Sequence, residues 1–134
     1  MSGTENLAYA AVQVVHNFGA VATVGGSVAA LLAAPQARRK AAWVAFAGWA
    51  TQAVSGPAFG MLSLYFHQRF PDIAGIAVIA LTIKIVCVAL GFLIVAVYLS
   101  PCRCRERIET LVWPASTLLA ATALSAAAFL RWFS

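Results

Sequence analysis

The sequence predicts an all-α integral membrane protein, a four-helix up-down-up-down bundle with both termini external. Three observations lead there. The chain has 134 residues, of which 63% are hydrophobic and 10% charged, whereas a soluble domain is about a quarter charged. The apolar residues fall into four runs that each reach the roughly 20 residues a bilayer crossing requires. The charges lie in short clusters between those runs. A soluble domain of this size buries only about two thirds of the surface its unfolded chain exposes, so lipid must solvate most of these side chains.

The runs define one transmembrane domain over residues 1–134, with spans at about 7–34, 41–66, 73–99 and 111–132. The first begins after a segment with Glu5 and no basic residue, and its length exceeds that of a cleaved signal, so a retained span is expected. It is rich in Ala, Val and Gly, which lets a neighbouring helix approach closely, and Pro35 is expected to stop it. The second contains Gln52, Ser55 and Pro57, where a bend is expected. The third is rich in Ile, Val and Leu and carries Lys84. The fourth has Pro114 in its expected opening turn, where proline costs little. Its Ala, Ser and Thr residues suit a packing surface. Connections of about six to eleven residues make neighbouring spans antiparallel.

Basic residues set the orientation. Arg38, Arg39, Lys40, Arg103, Arg105 and Arg107 fall on one side, while Arg69 and Arg131 share the other with Glu5 and Asp72. The positive-inside rule places the first group in the cytoplasm and both termini outside, which in a bacterial inner membrane means the periplasm. The net charge of +5 therefore marks span ends, and nucleic acid is excluded as a partner. Trp43, Trp49, Trp113 and Trp132 are expected mainly as interface anchors. Cys87 lies within a span, so the three cysteines form no disulfide framework. Cys102 and Cys104 flank Arg103, which makes soft-metal binding, lipid attachment and a plain interfacial loop the alternatives there.

Two histidines are present, both in the external half. His16 lies about nine residues, roughly 13 Å, inside span one, and His67 at the outer end of span two. A neutral imidazole is a usual haem-iron ligand, and bundles build cofactor sites between facing helices. His16 is thus the candidate metal ligand, to haem iron of a b-type haem, with quinone or proton handling and a plain interhelical hydrogen bond as alternatives. The two histidines differ in depth by about 13 Å, which disfavours them as a pair on one haem. Met61, closer in depth to His16, is the alternative second ligand.

Lys84 is the costliest residue, at least about 2.5 kcal/mol on the insertion scale. None of the four acidic residues lies inside a span to pair with it. Deprotonation, a partner subunit's carboxylate or an anionic cofactor would each relieve the cost. Its depth matches His16 and lies near Ser55 and Gln52, which marks a polar site inside the bundle.

The stretch His16-Asn17-Phe18-Gly19-Ala20-Val21-Ala22-Thr23-Val24-Gly25-Gly26 resembles the first helix of copper-resistance D type membrane proteins and related small b-type cytochrome-like proteins. The resemblance implies a bundle with intramembrane histidines and haem or copper handling, carried here by His16, Gly25 and Gly26. It covers less than a tenth of the chain. Spans three and four contain no histidine, and neither His67 nor Lys84 maps onto a residue of the group. The function expected is a cytochrome b-like subunit passing electrons between quinone and an external cytochrome or dehydrogenase. In that expectation His16, Met61, His67 and Lys84 hold the cofactor. The alternatives are a cofactor-free accessory or assembly subunit of a larger membrane complex, and transport of copper or another ion. Membrane lipid is a partner in every case.

Overall fold

The computed structural model describes residues 2–101 and 105–133, with side chains of the last helix from residue 107 onward. Four helices follow in order: α1 (Gly3–Leu32), α2 (Pro35–His67), α3 (Ile76–Leu99) and α4 (Arg105–Phe133). The protein is all-helical. Three of the helices, α1, α3 and the Arg107–Phe133 part of α4, are long and apolar enough to cross a membrane. At 1.5 Å per residue they measure about 45, 36 and 40 Å. The Cys102-Arg103-Cys104 motif lies outside the described residues.

Local chemistry explains where the helices begin and end. Ser2 caps α1, its Oγ accepting from Glu5 N at 3.2 Å while the Glu5 carboxylate accepts from Ser2 N at 3.2 Å. At the other end, Ala33 and Ala34 are both extended. Proline excludes helical geometry from the residue before it and is itself suited to the first helical position. Pro35 therefore starts α2, whereas the sequence suggested a helix stop followed by a loop. The link between α1 and α2 shrinks to two residues, and Arg38, Arg39 and Lys40 sit in the opening turns of α2. The left-handed Gln68 ends α2, its N–H bonding to Leu64 O. Ser100, extended before Pro101, ends α3 in the same manner as Ala34 precedes Pro35.

Of the two internal prolines, only Pro114 departs from its expected place. Pro57 lies within α2 without interrupting it. Pro114 is interior too, because the charged segment from Arg105 extends α4 beyond its apolar run.

The helices form a ring in which each packs against its chain neighbours and α1 closes onto α4. Packing is much denser within the α1/α2 and α3/α4 hairpins than between them. Small residues bring α1 and α2 together. A Cβ added to Gly26 would strike the Ala45 backbone, and one added to Gly48 would strike the Thr23 backbone. Gly19 makes room for the side chains of Thr51 and Gln52. The pairs Gly19–Thr51, Thr23–Gly48 and Gly26–Ala45 run in opposite chain directions, as an antiparallel hairpin requires. Of the Gly25–Gly26 pair, only Gly26 serves this approach, since nothing lies within 4 Å of a Cβ at Gly25.

The large core side chains gather in the half nearer the α1–α2 link. Trp49 fills the space left by Gly91 of α3. Phe46 meets Phe92 with centroids 5.0 Å apart, and Tyr98 meets Trp113 edge-on at 4.8 Å. Trp49 and Trp113 are 0% and 1% exposed, so only Trp43 and Trp132 have the exposure of interface anchors. The other half is lined by alanines, including Ala77 and Ala80 of α3 with Ala123 and Ala126 of α4.

Adjacent glycines provide a test of the hairpin packing. Gly26→Leu should destabilise by at least about 1–3 kcal/mol, the usual cost of overpacking. Gly25→Leu should leave the melting temperature in detergent unchanged. Equal melting of both variants would contradict the close approach of α1 and α2.

Candidate functional site

Four polar residues of the helices, His16, Gln52, Ser55 and Lys84, meet where the large core side chains give way to alanine. His16 projects from α1, Gln52 and Ser55 from successive turns of α2, and Lys84 from the inward stripe of α3 that also holds Ala80 and Val88. Ser55 Oγ lies 2.7 Å from His16 Nδ1, Lys84 Nζ lies 2.9 Å from His16 Nε2, and Gln52 Nε2 donates to the His16 carbonyl at 2.7 Å. Phe59 packs edge-on against the imidazole with centroids 5.6 Å apart. The depth match among these residues is legible in the sequence. Their direct contact emerges only in the fold.

Donor accounting fixes the direction of this chain. Ser55 has one hydroxyl proton, and its Oγ lies 2.6 Å from the Thr51 carbonyl, which can only accept. With that proton committed, Ser55 Oγ must accept from His16 Nδ1–H. The imidazole is then neutral, and its bare Nε2 accepts from Lys84. Both ring nitrogens are engaged, one by each hairpin. The nitrogen that would ligate iron is the one holding Lys84.

Lys84 bridges a gap that no backbone contact spans, since α1 and α3 stand on opposite corners of the ring. Two other polar contacts cross the opposite diagonal, from α2 to α4. Trp49 Nε1 donates to Ser116 Oγ at 3.2 Å, and Ser116 Oγ also lies 2.8 Å from Ser27 Oγ of α1. Nearer the α1–α2 link, Arg38 pairs with Glu109 of α4. The same guanidinium donates to the carbonyls of Ala30 and Ala33 at 3.0 and 2.8 Å, so it also caps α1. Because α2 begins at Pro35, Arg38 sits one turn in and reaches back over the end of α1. A loop assignment for residues 35–40 conceals that role.

Two other residues singled out in the sequence lie elsewhere. Met61 is 61% exposed and has no place beside His16. His67 Nε2 lies 2.9 Å from Glu5 Oε1, tying the end of α2 to the start of α1. Glu5 is buried and His67 exposed, so the pair closes the mouth of the first hairpin at the end away from the α1–α2 link. Among the described residues no group of three or more His, Cys, Asp and Glu is placed to hold a metal ion. On the outward side of the same hairpin, Ala11, Val15, Ala50, Val54 and Ala58 line an open apolar groove of about 520 Å³ that reaches Ser55.

Comparison with known proteins gave no match to a family model, a curated protein or a solved structure.

The hydrogen-bond direction assigns His16 to the Nδ1–H tautomer, which ¹⁵N spectroscopy of the imidazole distinguishes directly. A protonated Nδ1 and an unprotonated Nε2 are expected, and the reverse pattern would refute the assignment. Ser116→Ala, which strips a buried acceptor from Trp49, should cost about 1–3 kcal/mol in thermal or denaturant unfolding.

Proposed function

We propose that this chain is a cofactor-free accessory or assembly subunit of a larger membrane complex, with four spans and both termini on the periplasmic side of a bacterial inner membrane. The observation that carries this reading is the state of His16. The one histidine in the membrane interior is held at Nδ1 by Ser55 and at Nε2 by Lys84, and so joins the two hairpins. Chemistry that needs a free imidazole must first dismantle that join.

Several features support the rest of the reading. A two-residue link and contacts at both ends, Glu5–His67 and Arg38–Ala30, make α2 follow α1 along its length. A span by α1 therefore carries α2 across as well. The polar residues of α2, Gln52 and Ser55, face inward, which lowers its overall hydropathy without placing polarity in lipid. The excess of Arg and Lys near the α1–α2 link supports a cytoplasmic position for that end. The connections are too short to house a catalytic domain, which suits a component that acts with other proteins.

The competing reading is the cytochrome b-like electron carrier with a b-type haem on His16. It requires Nε2 to exchange Lys84 for iron, with Lys84 left to place or balance the cofactor. Neither residue named as a second ligand stands beside His16, because Met61 points away and His67 is paired with Glu5, so His16 would hold the iron with no strong protein ligand opposite.

A reduced-minus-oxidised visible spectrum of protein purified gently from its native membrane separates the two. The accessory reading predicts no haem bands and stoichiometric partner proteins in the same sample. Sharp bands that track this chain and vanish in His16→Ala would overturn it.

A further inference from the structure

We infer that Lys84 is the docking point for a carboxylate carried within the membrane by a transmembrane helix of a partner subunit. This inference rests on the accessory-subunit reading and names the chemistry of the partner. Lys84 lies eight residues into α3, about 12 Å along it and about 6 Å to the outer side of its middle. In its charged form Lys84 has three N–H donors, and His16 Nε2 takes one. Imidazole carries no negative charge, so the contact satisfies a hydrogen bond and leaves the lysine without a counter-ion.

Among the described residues no carboxylate is placed to supply one. The chain has four acidic residues. Glu5 is engaged by His67 and the Ser2 backbone at the outer end, and Glu109 by Arg38 at the other. Asp72 is exposed in the connection before α3, and Glu106 lies in the opening turn of α4, at the opposite end from Lys84. Basic residues within spans are characteristically paired.

Position decides what kind of anion can arrive. Lipid phosphates stay at the headgroup level, roughly 15 Å from the midplane of a 30 Å hydrocarbon core. Water-soluble anions have no path through lipid. A carboxylate fixed on a helix is delivered at the required depth by the helix itself. Lys84 is only partly buried, and the two hairpins pack more sparsely against each other than each does internally, so the lysine is not sealed inside the bundle.

The test uses the full chain isolated from its native membrane in mild detergent, with the co-eluting protein identified. That protein should carry an Asp or Glu within a transmembrane helix. Lys84→Met should reduce its recovery at least about tenfold, as expected when one member of a buried charge pair is removed, while Lys84→Arg should retain it. Replacing the partner's intramembrane acid by its amide leaves this chain intact and should give the same loss, even if Lys84→Met fails to fold. A Lys84→Asp chain should recover a partner whose acid is replaced by lysine. Recovery unaffected by the amide substitution, or a partner with no intramembrane acid, would overturn the inference and leave the accessory reading standing. A wild-type chain that elutes alone would overturn both.

Discussion

A lysine placed among hydrocarbon has to be answered by something, and here the nearest answer is a histidine on the helix diagonally opposite. That requirement organises the half of the molecule away from the α1–α2 link. Lys84 must reach from α3 to α1, two helices that share no backbone contact. His16 must present Nε2 to it, so Nδ1–H must find an acceptor, which Ser55 provides. Ser55 can accept because its own proton is directed to Thr51. Each member fixes the orientation of the next, and the chain ends on a backbone carbonyl with every hydrogen-bonding proton from His16 onward accounted for.

The same logic applies throughout the seam between hairpins. Without a strong hydrophobic force between helices in lipid, packing and polar contacts must hold them together. Inside each hairpin, glycine and alanine allow backbones to touch. Between hairpins the packing is sparse, and Lys84–His16, Trp49–Ser116, Ser27–Ser116 and Arg38–Glu109 fasten the seam at successive depths. These contacts are directional, so they also specify the register of one hairpin against the other. Apolar residues alone tolerate sliding.

Much of this was legible before the fold was known, and the exceptions have physical causes. Long apolar runs show the helices because a bilayer leaves the backbone few other choices. A shared depth for His16, Ser55, Gln52 and Lys84 follows from counting residues along antiparallel helices. What counting cannot show is azimuth. Met61 is suitably deep for a site with His16, yet it faces outward. Trp49 and Trp113 have the residue type of interface anchors, but Gly91 and Tyr98 draw them into the core. The basic cluster after Pro35 resembles a loop because charge ends an apolar run; it does not end a helix. Arg38 consequently serves as a cap and a cross-bundle ion pair, a role visible only once α2 is known to begin at its proline. The direction of the Ser55–His16–Lys84 chain likewise required distances.

His16 and Lys84 form an energetic link between the two hairpins. A double-mutant cycle with His16→Ala and Lys84→Met, read by reversible unfolding in detergent or bicelles, measures that link after each residue's separate effects are removed. A coupling of about 0.5–3 kcal/mol is predicted, the range for residues in direct contact within one network. Additive effects of the two substitutions would show that the residues do not depend on one another and would contradict the account.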